Sequence, residues 1–248
     1  MSKAKNRPRT SPPRQSTPPK TAQKTTTPTK PSFPVFWIAL GVIAVIGIGI
    51  AIVSSGSDDT KKSSGGSGTA TSHEFGTVVV DGTALAPLPD KGTDRAVGKP
   101  IPTINGQTFA GRAATIAPNG KAQMILFLAH WCPHCNREAP RLVAYLNKFG
   151  GVPAGVELTI VPTGSNDQSP NWPPSQWVKD MKIADLSTLV DSKDAKAARA
   201  FGLTSYPYIV MVDKLGNVVD RRAGEQKDGF FKAAFDALAA GRKIPNGA

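Results

Sequence analysis

The sequence from Ala122 to Cys135, AQMILFLAHWCPHC, carries the strongest structural signal in this chain of 248 residues. Its first part, 122–129, is a continuous apolar run, which predicts a strand buried on both faces. Apolar residues at helical spacing follow as far as Gly150-Gly151, and they are Leu142, Val143, Leu146 and Phe149. A Cys-x-x-Cys pair therefore lies between a buried strand and the first turn of a helix.

Strands and helices alternate through the rest of the C-terminal part. The other predicted strands are 77–80, 156–163, 208–213 and 218–222. The other predicted helices are 174–182, 193–201 and 228–240, the last with the apolar set Phe230, Phe231, Phe235 and Leu238. Asn105-Gly106 predicts a two-residue hairpin turn within 102–109. Trp172 and Trp177 either border a binding surface or lie in the core, and the core is favoured. The alternation predicts an α/β fold with a mixed central sheet flanked by helices.

The two cysteines, the only ones in the chain, have the surroundings of a reactive pair. A helix N-terminus presents free amide groups and a partial positive charge, so it stabilises a thiolate at Cys132. Pro133 suits the first helical turn, and His134 can carry a positive charge and donate to the thiolate. We therefore expect Cys132 to attack from an exposed helix tip, and Cys135, one turn further in, to resolve the mixed disulfide.

Two other uses of this pair compete with redox chemistry. A structural disulfide would enclose only two residues, which restrains the unfolded chain very little. A metal site would combine the cysteines with His130 or His134, but structural zinc sites usually join two separated ligand pairs, and no second cluster occurs in the sequence. His130 is more simply interpreted as a satisfied residue at the end of a strand. The position between a strand and a helix favours thiol–disulfide exchange.

Charge is distributed unevenly along the chain. The formal net charge is +12, and residues 1–34 contain eight basic residues and no acidic one, so they contribute +8. The next nineteen residues, 35–53, carry no charge, and as a helix they would span about 28 Å, close to the thickness of a bilayer core. Basic flanks usually stay on the cytoplasmic side. We therefore expect a signal anchor and no binding of nucleic acid.

The chain is thereby divided into four parts. Residues 1–34 are expected to form a disordered basic cytoplasmic tail, 35–53 a single transmembrane helix, 54–74 a flexible Ser/Gly linker and 75–248 an extracytoplasmic domain. Two alternatives fit less well, because a cleaved signal peptide would have a shorter apolar core and a cleavage site, and a buried core helix would have a polar face. The predicted location is the cell membrane, with one pass.

Two segments resemble a known family. Residues 131–140, Trp-Cys-Pro-His-Cys-Asn-Arg-Glu-Ala-Pro, resemble the active site of the thioredoxin superfamily and are most similar to its membrane-anchored TlpA/ResA-type subgroup. Residues 202–207, Gly-Leu-Thr-Ser-Tyr-Pro, resemble the cis-proline loop of that family. The resemblance implies a thioredoxin-like mixed sheet and a cis Pro207 that faces the cysteines. It also implies that Tyr206 offers backbone groups to a bound substrate and that Trp131 borders the substrate groove.

Two features depart from the family pattern. Pro133-His134 between the cysteines resembles the periplasmic disulfide oxidases of the DsbA type. Leu126 stands where the thioredoxins proper have a buried aspartate. Glu138, placed as in the TlpA/ResA-type group and one turn from Cys135, is a candidate to take and return the proton of that thiol. The competing interpretation of Glu138 is a solvated helix carboxylate.

The residues and the resemblance together predict an oxidoreductase that exchanges disulfides with cysteines of extracytoplasmic proteins. No metal or organic cofactor is expected besides the Cys132–Cys135 disulfide, and a redox partner must reset the pair. The direction of electron flow stays open. His134 favours an oxidase, whereas the resemblance to the TlpA/ResA-type subgroup favours a reductase. The alternative function is an extracytoplasmic copper or zinc carrier that uses both cysteines and a nearby histidine.

Overall fold

The computed structural model describes residues 73–245. The predicted tail (1–34) and transmembrane helix (35–53) lie outside the described residues, and so does the predicted linker 54–74 except for its last two residues. Within the described range, no helix is both long enough and apolar enough to cross a bilayer. Glu74, assigned by the sequence to the linker, accepts a hydrogen bond from the backbone N–H of Ser175 (2.9 Å). The folded domain therefore begins slightly before the predicted boundary.

Eight strands in the described residues form two sheets. They are β1 (Val79–Asp81), β2 (Thr103–Gln107), β3 (Ala113–Ile116), β4 (Ala122–Leu128), β5 (Val156–Pro162), β6 (Ser187–Thr188), β7 (Tyr208–Val212) and β8 (Val218–Ala223). The first three form an antiparallel sheet, and the others form a sheet in the order β6-β5-β4-β7-β8. Because β4 pairs in parallel with β5 and antiparallel with β7, the larger sheet is mixed, as predicted.

The central strand β4 lies between two cores. The helices that help to form them are α1 (Pro133–Phe149), α2 (Pro174–Asp180), α3 (Lys196–Ala200) and α4 (Phe230–Ala239). Met124, Leu126 and Leu128 pack with residues of α1 and α4 on one face. Ile125 and Phe127 pack with α3 and the smaller sheet on the other. This alternation follows the two-residue period of a strand and confirms the predicted strand buried on both faces.

Aromatic rings join α1 to α4. Tyr145 stacks on Phe235, with 5.0 Å between the ring centroids and 13° between the planes. The helix α1 ends as predicted, since Gly150 has a left-handed backbone (φ 76°) and its N–H donates to the carbonyl of Leu146. Phe149, the last residue of the apolar set on α1, is 46% exposed, and its ring packs against Tyr145 with 5.0 Å between centroids.

The predicted hairpin turn at Asn105-Gly106 is also wrong, because both residues lie inside β2. The side-chain carbonyl of Asn105 accepts a hydrogen bond from Thr115 on β3 (3.1 Å). A Cβ atom on Gly106 would lie 3.1 Å from the side chain of Leu189. The glycine therefore allows close packing, and the chain turns at 108–112, where the N–H of residue 108 donates to the carbonyl of residue 112 (2.8 Å).

A buried ion pair fastens the segment before β2 to the larger sheet. Arg221 on β8 has a fully buried side chain, and its guanidinium donates to the carboxylate of Asp94 through Nε (2.7 Å) and Nη2. The remaining bonds go to the carbonyls of Ala86 (2.9 Å) and Phe201 (3.0 Å) and to the hydroxyl of Tyr208 (3.0 Å). A buried charge requires such partners. This cluster therefore holds the segment before β2 against the larger sheet.

Candidate active site

Cys132 lies at the N-terminal end of α1, directly after β4. It is the cap residue, with an extended backbone (φ −77°, ψ 120°), and Pro133 occupies the first helical position. The N–H of Cys132 donates to the carbonyl of Ala129 (3.0 Å), and the carbonyl of Cys132 accepts from the N–H of Asn136 (3.1 Å). No acidic residue lies in the first turn of α1. The partial positive charge of the helix end is therefore available to a thiolate at Cys132.

Both cysteines are free thiols. Cys135 is fully buried, in line with its position one turn further in, but Cys132 is only 5% exposed, so the expectation of an exposed tip is wrong. The cause is the loop at Tyr206, because the Cys132 thiol donates to the Tyr206 carbonyl, with 4.0 Å between sulfur and oxygen. The Cys135 sulfur accepts from the N–H of Ala129 (3.4 Å). Burial raises the pKa of Cys135 well above its ordinary value.

The loop opposite Cys132 has the geometry that the resemblance implies. The Tyr206–Pro207 peptide bond is cis, and Pro207 is buried. The indole N–H of Trp131 donates to the carbonyl of Gly164 (2.8 Å), and its ring meets Tyr206 edge-on at 5.6 Å between centroids. The structure thus brings the predicted substrate-binding residues together beside Cys132. The two aromatic rings border the approach to its sulfur.

Glu138 is fully buried on the same face of α1 as Cys135, three residues further along. One carboxylate oxygen accepts from the backbone N–H of Gln226 (3.1 Å). The other oxygen has no hydrogen-bond partner among the described residues. Burial raises the pKa of Glu138 to about 7, although the hydrogen bond from Gln226 and the charge of Arg141 oppose this rise. The interpretation as a solvated carboxylate is therefore wrong.

His134 contacts Glu225 and Arg137 through its Nδ1 atom. Its side chain is 56% exposed, and its Nδ1 atom lies 3.0 Å from a carboxylate oxygen of Glu225. Within residues 73–245, the predicted hydrogen bond from His134 to Cys132 is not formed, and the thiol donates to Tyr206 instead. Glu225, on the connection between β8 and α4, provides the carboxylate that this ring nitrogen contacts.

Glu225 is the residue of this site that sequence reasoning missed. Its carboxylate accepts from Nε of Arg137 (2.9 and 3.1 Å), from Nη2 of Arg137 (2.7 Å) and from Nη1 of Arg141 (2.8 Å). The hydrogen bonds from Arg137 and His134 and the two guanidinium charges lower the pKa of Glu225 to about 2. No local pattern indicates this cluster, since 84 to 91 residues separate Glu225 from its partners.

His130 is the satisfied strand-end residue that the sequence predicts. Its Nδ1 atom lies 2.7 Å from the carbonyl of Pro170, and its Nε2 accepts from the N–H of Asn166 (3.2 Å). Because Nε2 accepts from an N–H, Nδ1 carries the proton and donates to the carbonyl of Pro170, and burial lowers the pKa of His130. The segment that contains Pro170 is thereby attached to the strand end just before Trp131.

The two tryptophans of that neighbourhood differ. Trp177 is a core residue, as predicted, and its indole N–H donates to the side chain of Asn136 (2.7 Å). Trp172 is 36% exposed, so its assignment to the core is wrong. Its ring instead lies near Phe75 and His130 at the surface, with centroid distances of 5.7 and 5.9 Å.

The described residues near the cysteines offer few ligands for a metal ion. Within residues 73–245, no three His, Cys, Asp or Glu side chains are grouped so that they could hold an ion. Both ring nitrogens of His130 are engaged with backbone groups, and Nδ1 of His134 lies in the cluster around Glu225. The described residues therefore provide two thiols and no histidine positioned to complete a site.

Comparison with known proteins identifies the family. The family model described as AhpC/TSA matches residues 97–221, half of the chain. No curated protein matches this chain significantly. An uncharacterized conserved protein from Geobacillus kaustophilus is 19% identical, and the match covers 68% of this chain and 90% of that one with a TM-score of 0.51.

Two further solved structures are similar to this chain, and the first is named as a thiol:disulfide interchange protein. A thioredoxin-family thiol:disulfide interchange protein from Chlorobium tepidum TLS is 25% identical over 59% of this chain and 99% of its own, with a TM-score of 0.44. StoA from Bacillus subtilis is 19% identical over 55% and 96%, also with a TM-score of 0.44. The chain belongs to the AhpC/TSA family and has a thioredoxin-like α/β fold, with a mixed sheet flanked by helices.

Proposed function

We propose that this protein is a thiol–disulfide oxidoreductase that works through Cys132 and Cys135. One observation carries the proposal. The two thiols lie at the N-terminal end of α1, the first beside the cis-proline loop and the second beside the buried carboxyl group of Glu138. A helix end favours a thiolate at the first position. A buried acid close to the second can accept its proton.

The reaction proceeds in two exchange steps. The Cys132 thiolate attacks one sulfur of a substrate disulfide, forming a mixed disulfide and releasing the other substrate sulfur as a thiolate. Cys135 then passes its proton to Glu138 and attacks the sulfur of Cys132. The Cys132–Cys135 disulfide forms, the second substrate thiolate leaves, and two electrons have moved from the protein to the substrate. The reverse sequence oxidises a substrate dithiol, so the same residues serve both directions.

Glu138 makes the second step possible near neutral pH. Burial disfavours a thiolate at Cys135, which raises the pKa of this cysteine. A carboxylate with an ordinary pKa would be a poor acceptor for such a proton. Burial also raises the pKa of Glu138 to about 7, so this group is protonated at lower pH and ionised at higher pH. It is therefore suited to take the proton and to return it.

The proposed cellular setting follows from the sequence outside the described domain. Segment 35–53 would anchor the protein in the cell membrane by a single pass, as in the TlpA/ResA-type subgroup, with the N-terminus cytoplasmic and the catalytic domain extracytoplasmic. The substrates would be cysteine-containing extracytoplasmic proteins, and a redox partner would reset the pair. The cysteine disulfide itself would be the only redox group, without metal, organic cofactor or nucleic acid.

A trapping experiment tests the proposal. In Cys135→Ser the mixed disulfide cannot be resolved, so covalent adducts should accumulate through Cys132 and should disappear with a reductant. They can be separated on a non-reducing gel and identified by mass spectrometry. The matched control is Cys132→Ser, which keeps one thiol but should form no adduct, because Cys135 is fully buried. Absence of adducts in the first variant, or equal amounts in both, would contradict the proposal.

A further inference from the structure

The residues around Glu225 connect α1, which follows Cys132, with the cis-proline loop on the opposite side of that cysteine. Glu225 itself contacts α1 through His134, Arg137 and Arg141, at distances of 2.7 to 3.1 Å. Its side chain is 19% exposed, so it is partly shielded from water. These contacts lie on the first three turns of α1, which directly follows Cys132.

The backbone on either side holds Glu225 in place. The N–H of Gly224 donates to the carbonyl of Pro207 in the cis-proline loop (2.8 Å). The N–H of Gln226 donates to the buried carboxylate of Glu138 (3.1 Å), and the carbonyl of Gln226 accepts from Arg141 (2.9 Å). The Glu225 carboxylate therefore has a fixed position between the cis-proline loop and α1.

His134 is held within this cluster by either of two hydrogen bonds. Its Nδ1 atom lies 3.0 Å from Glu225 and 2.8 Å from Nη2 of Arg137. One nitrogen cannot donate to the carboxylate and accept from the guanidinium at the same time, so only one of these bonds exists in a given tautomer. In both cases Nδ1 is engaged, and it is not available to Cys132.

Arg137 is the cation of this cluster that contacts the residue between the two cysteines. It lies on α1 five residues after Cys132, and its Nη2 atom is 2.8 Å from Nδ1 of His134. Its hydrogen bonds to Glu225 raise the pKa of Arg137, and the charge of Cys132 adds a smaller contribution. The guanidinium and the thiolate therefore attract each other. A positive charge near the thiolate stabilises the reduced pair and makes the disulfide more oxidising. Glu225 counteracts this effect because it neutralises Arg137 directly.

We propose that Glu225 is a positioning residue that sets the reduction potential of the Cys132–Cys135 pair, by neutralising Arg137 and by holding Nδ1 of His134 within its cluster. This inference rests on the proposed exchange function. It explains how a Cys-Pro-His-Cys sequence can be less oxidising than its histidine alone would make it. The potential of the pair is then set by a residue on the β8–α4 connection, outside the active-site motif.

The test is the equilibrium of the full chain with glutathione. Oxidised protein and two glutathione molecules give reduced protein and glutathione disulfide. In Glu225→Gln the uncompensated Arg137 and the released His134 should favour the reduced protein, so this equilibrium constant should rise about tenfold. This rise corresponds to a reduction potential that is higher by about 30 mV. The matched control is Asp228→Asn, which removes the same charge from the same connection. Asp228 is 93% exposed and lies 3.4 Å from Arg141, so its constant should change by less than about twofold.

A second variant keeps the inference testable if Glu225→Gln does not fold. Arg137 is 51% exposed, and Arg137→Gln removes the cation, so the equilibrium constant should fall. An unchanged or lower constant in Glu225→Gln, an equal rise in Asp228→Asn, or a rise in Arg137→Gln would overturn the inference. The proposed function fails by a different result, the absence of trapped adducts in Cys135→Ser. The glutathione equilibrium requires only that the two cysteines can form a disulfide, so the two failures are distinguishable.

Discussion

Glu138→Gln should remove a large part of the pH dependence of this protein's stability. Burial raises the pKa of Glu138 from its ordinary 4.5 to about 7. Between these values the folded protein keeps a proton that the unfolded chain has lost. The folded state is therefore favoured below this window, and stability falls as the pH rises through it. Glutamine does not titrate, so the variant lacks this contribution.

The structure allows a magnitude to be worked out. One pKa unit corresponds to about 1.4 kcal/mol, so a rise from 4.5 to about 7 costs about 3 kcal/mol once both states are ionised. Between about pH 5 and about pH 8, Glu138 should account for about 2 to 3 kcal/mol of lost stability. The glutamine carbonyl can still accept from the N–H of Gln226, but its amide replaces the oxygen without a partner. At high pH the variant should be more stable than the wild type, and this unpaired donor should make the difference in unfolding free energy smaller by about 1 kcal/mol.

The assay is urea unfolding of the reduced protein at both pH values. The loss of unfolding free energy from low to high pH should be about 2 to 3 kcal/mol smaller in Glu138→Gln than in the wild type. The matched control is Glu157→Gln, the same substitution at a partly exposed carboxylate in β5, which should behave like the wild type. Parallel pH profiles for wild type and Glu138→Gln, within about 0.5 kcal/mol, would refute the reasoning.

Two further substitutions test the buried Asp94–Arg221 ion pair and the Tyr206 ring that borders the approach to Cys132. Asp94→Asn leaves the buried Arg221 guanidinium without its counter-charge, and we expect a loss of about 3–5 kcal/mol in urea unfolding. Gly164→Ala would place a Cβ atom against the hydroxyl of Tyr206 at a position with φ +59°. Displacement of that ring should slow disulfide exchange with a fluorescent peptide substrate by roughly tenfold or more.

Each of these substitutions has a control elsewhere in the chain. Asp194→Asn breaks a surface ion pair with Arg199 and should cost less than about 1 kcal/mol; a loss as large as that of Asp94→Asn would show that burial is not the cause. Gly120→Ala has the same kind of backbone (φ +79°) with nothing within 4 Å of the added atom. It should keep the wild-type exchange rate, so equal slowing in both alanine variants would argue against a role for the Tyr206 ring.

Features that depend on neighbouring residues could be predicted correctly. The continuous apolar run of β4, the cysteines at the start of α1 and the helix end at Gly150 depend on short-range periodicity and on glycine's left-handed backbone. The cis bond before Pro207 came from family resemblance and is present. The pattern failed at Asn105-Gly106, because close packing on Leu189 explains this glycine without a turn.

The burial and charge around the cysteines depend instead on distant segments. The loop at Tyr206 covers Cys132, and the segment at Gln226 reaches Glu138, so neither burial can be deduced from α1 alone. In the same way, Glu225 engages His134, although 91 residues separate them. Local sequence thus specifies which groups can react, because helix ends and strand periods are short-range. Long-range packing sets their access to solvent and their electrostatics, since these properties depend on which segments meet in space.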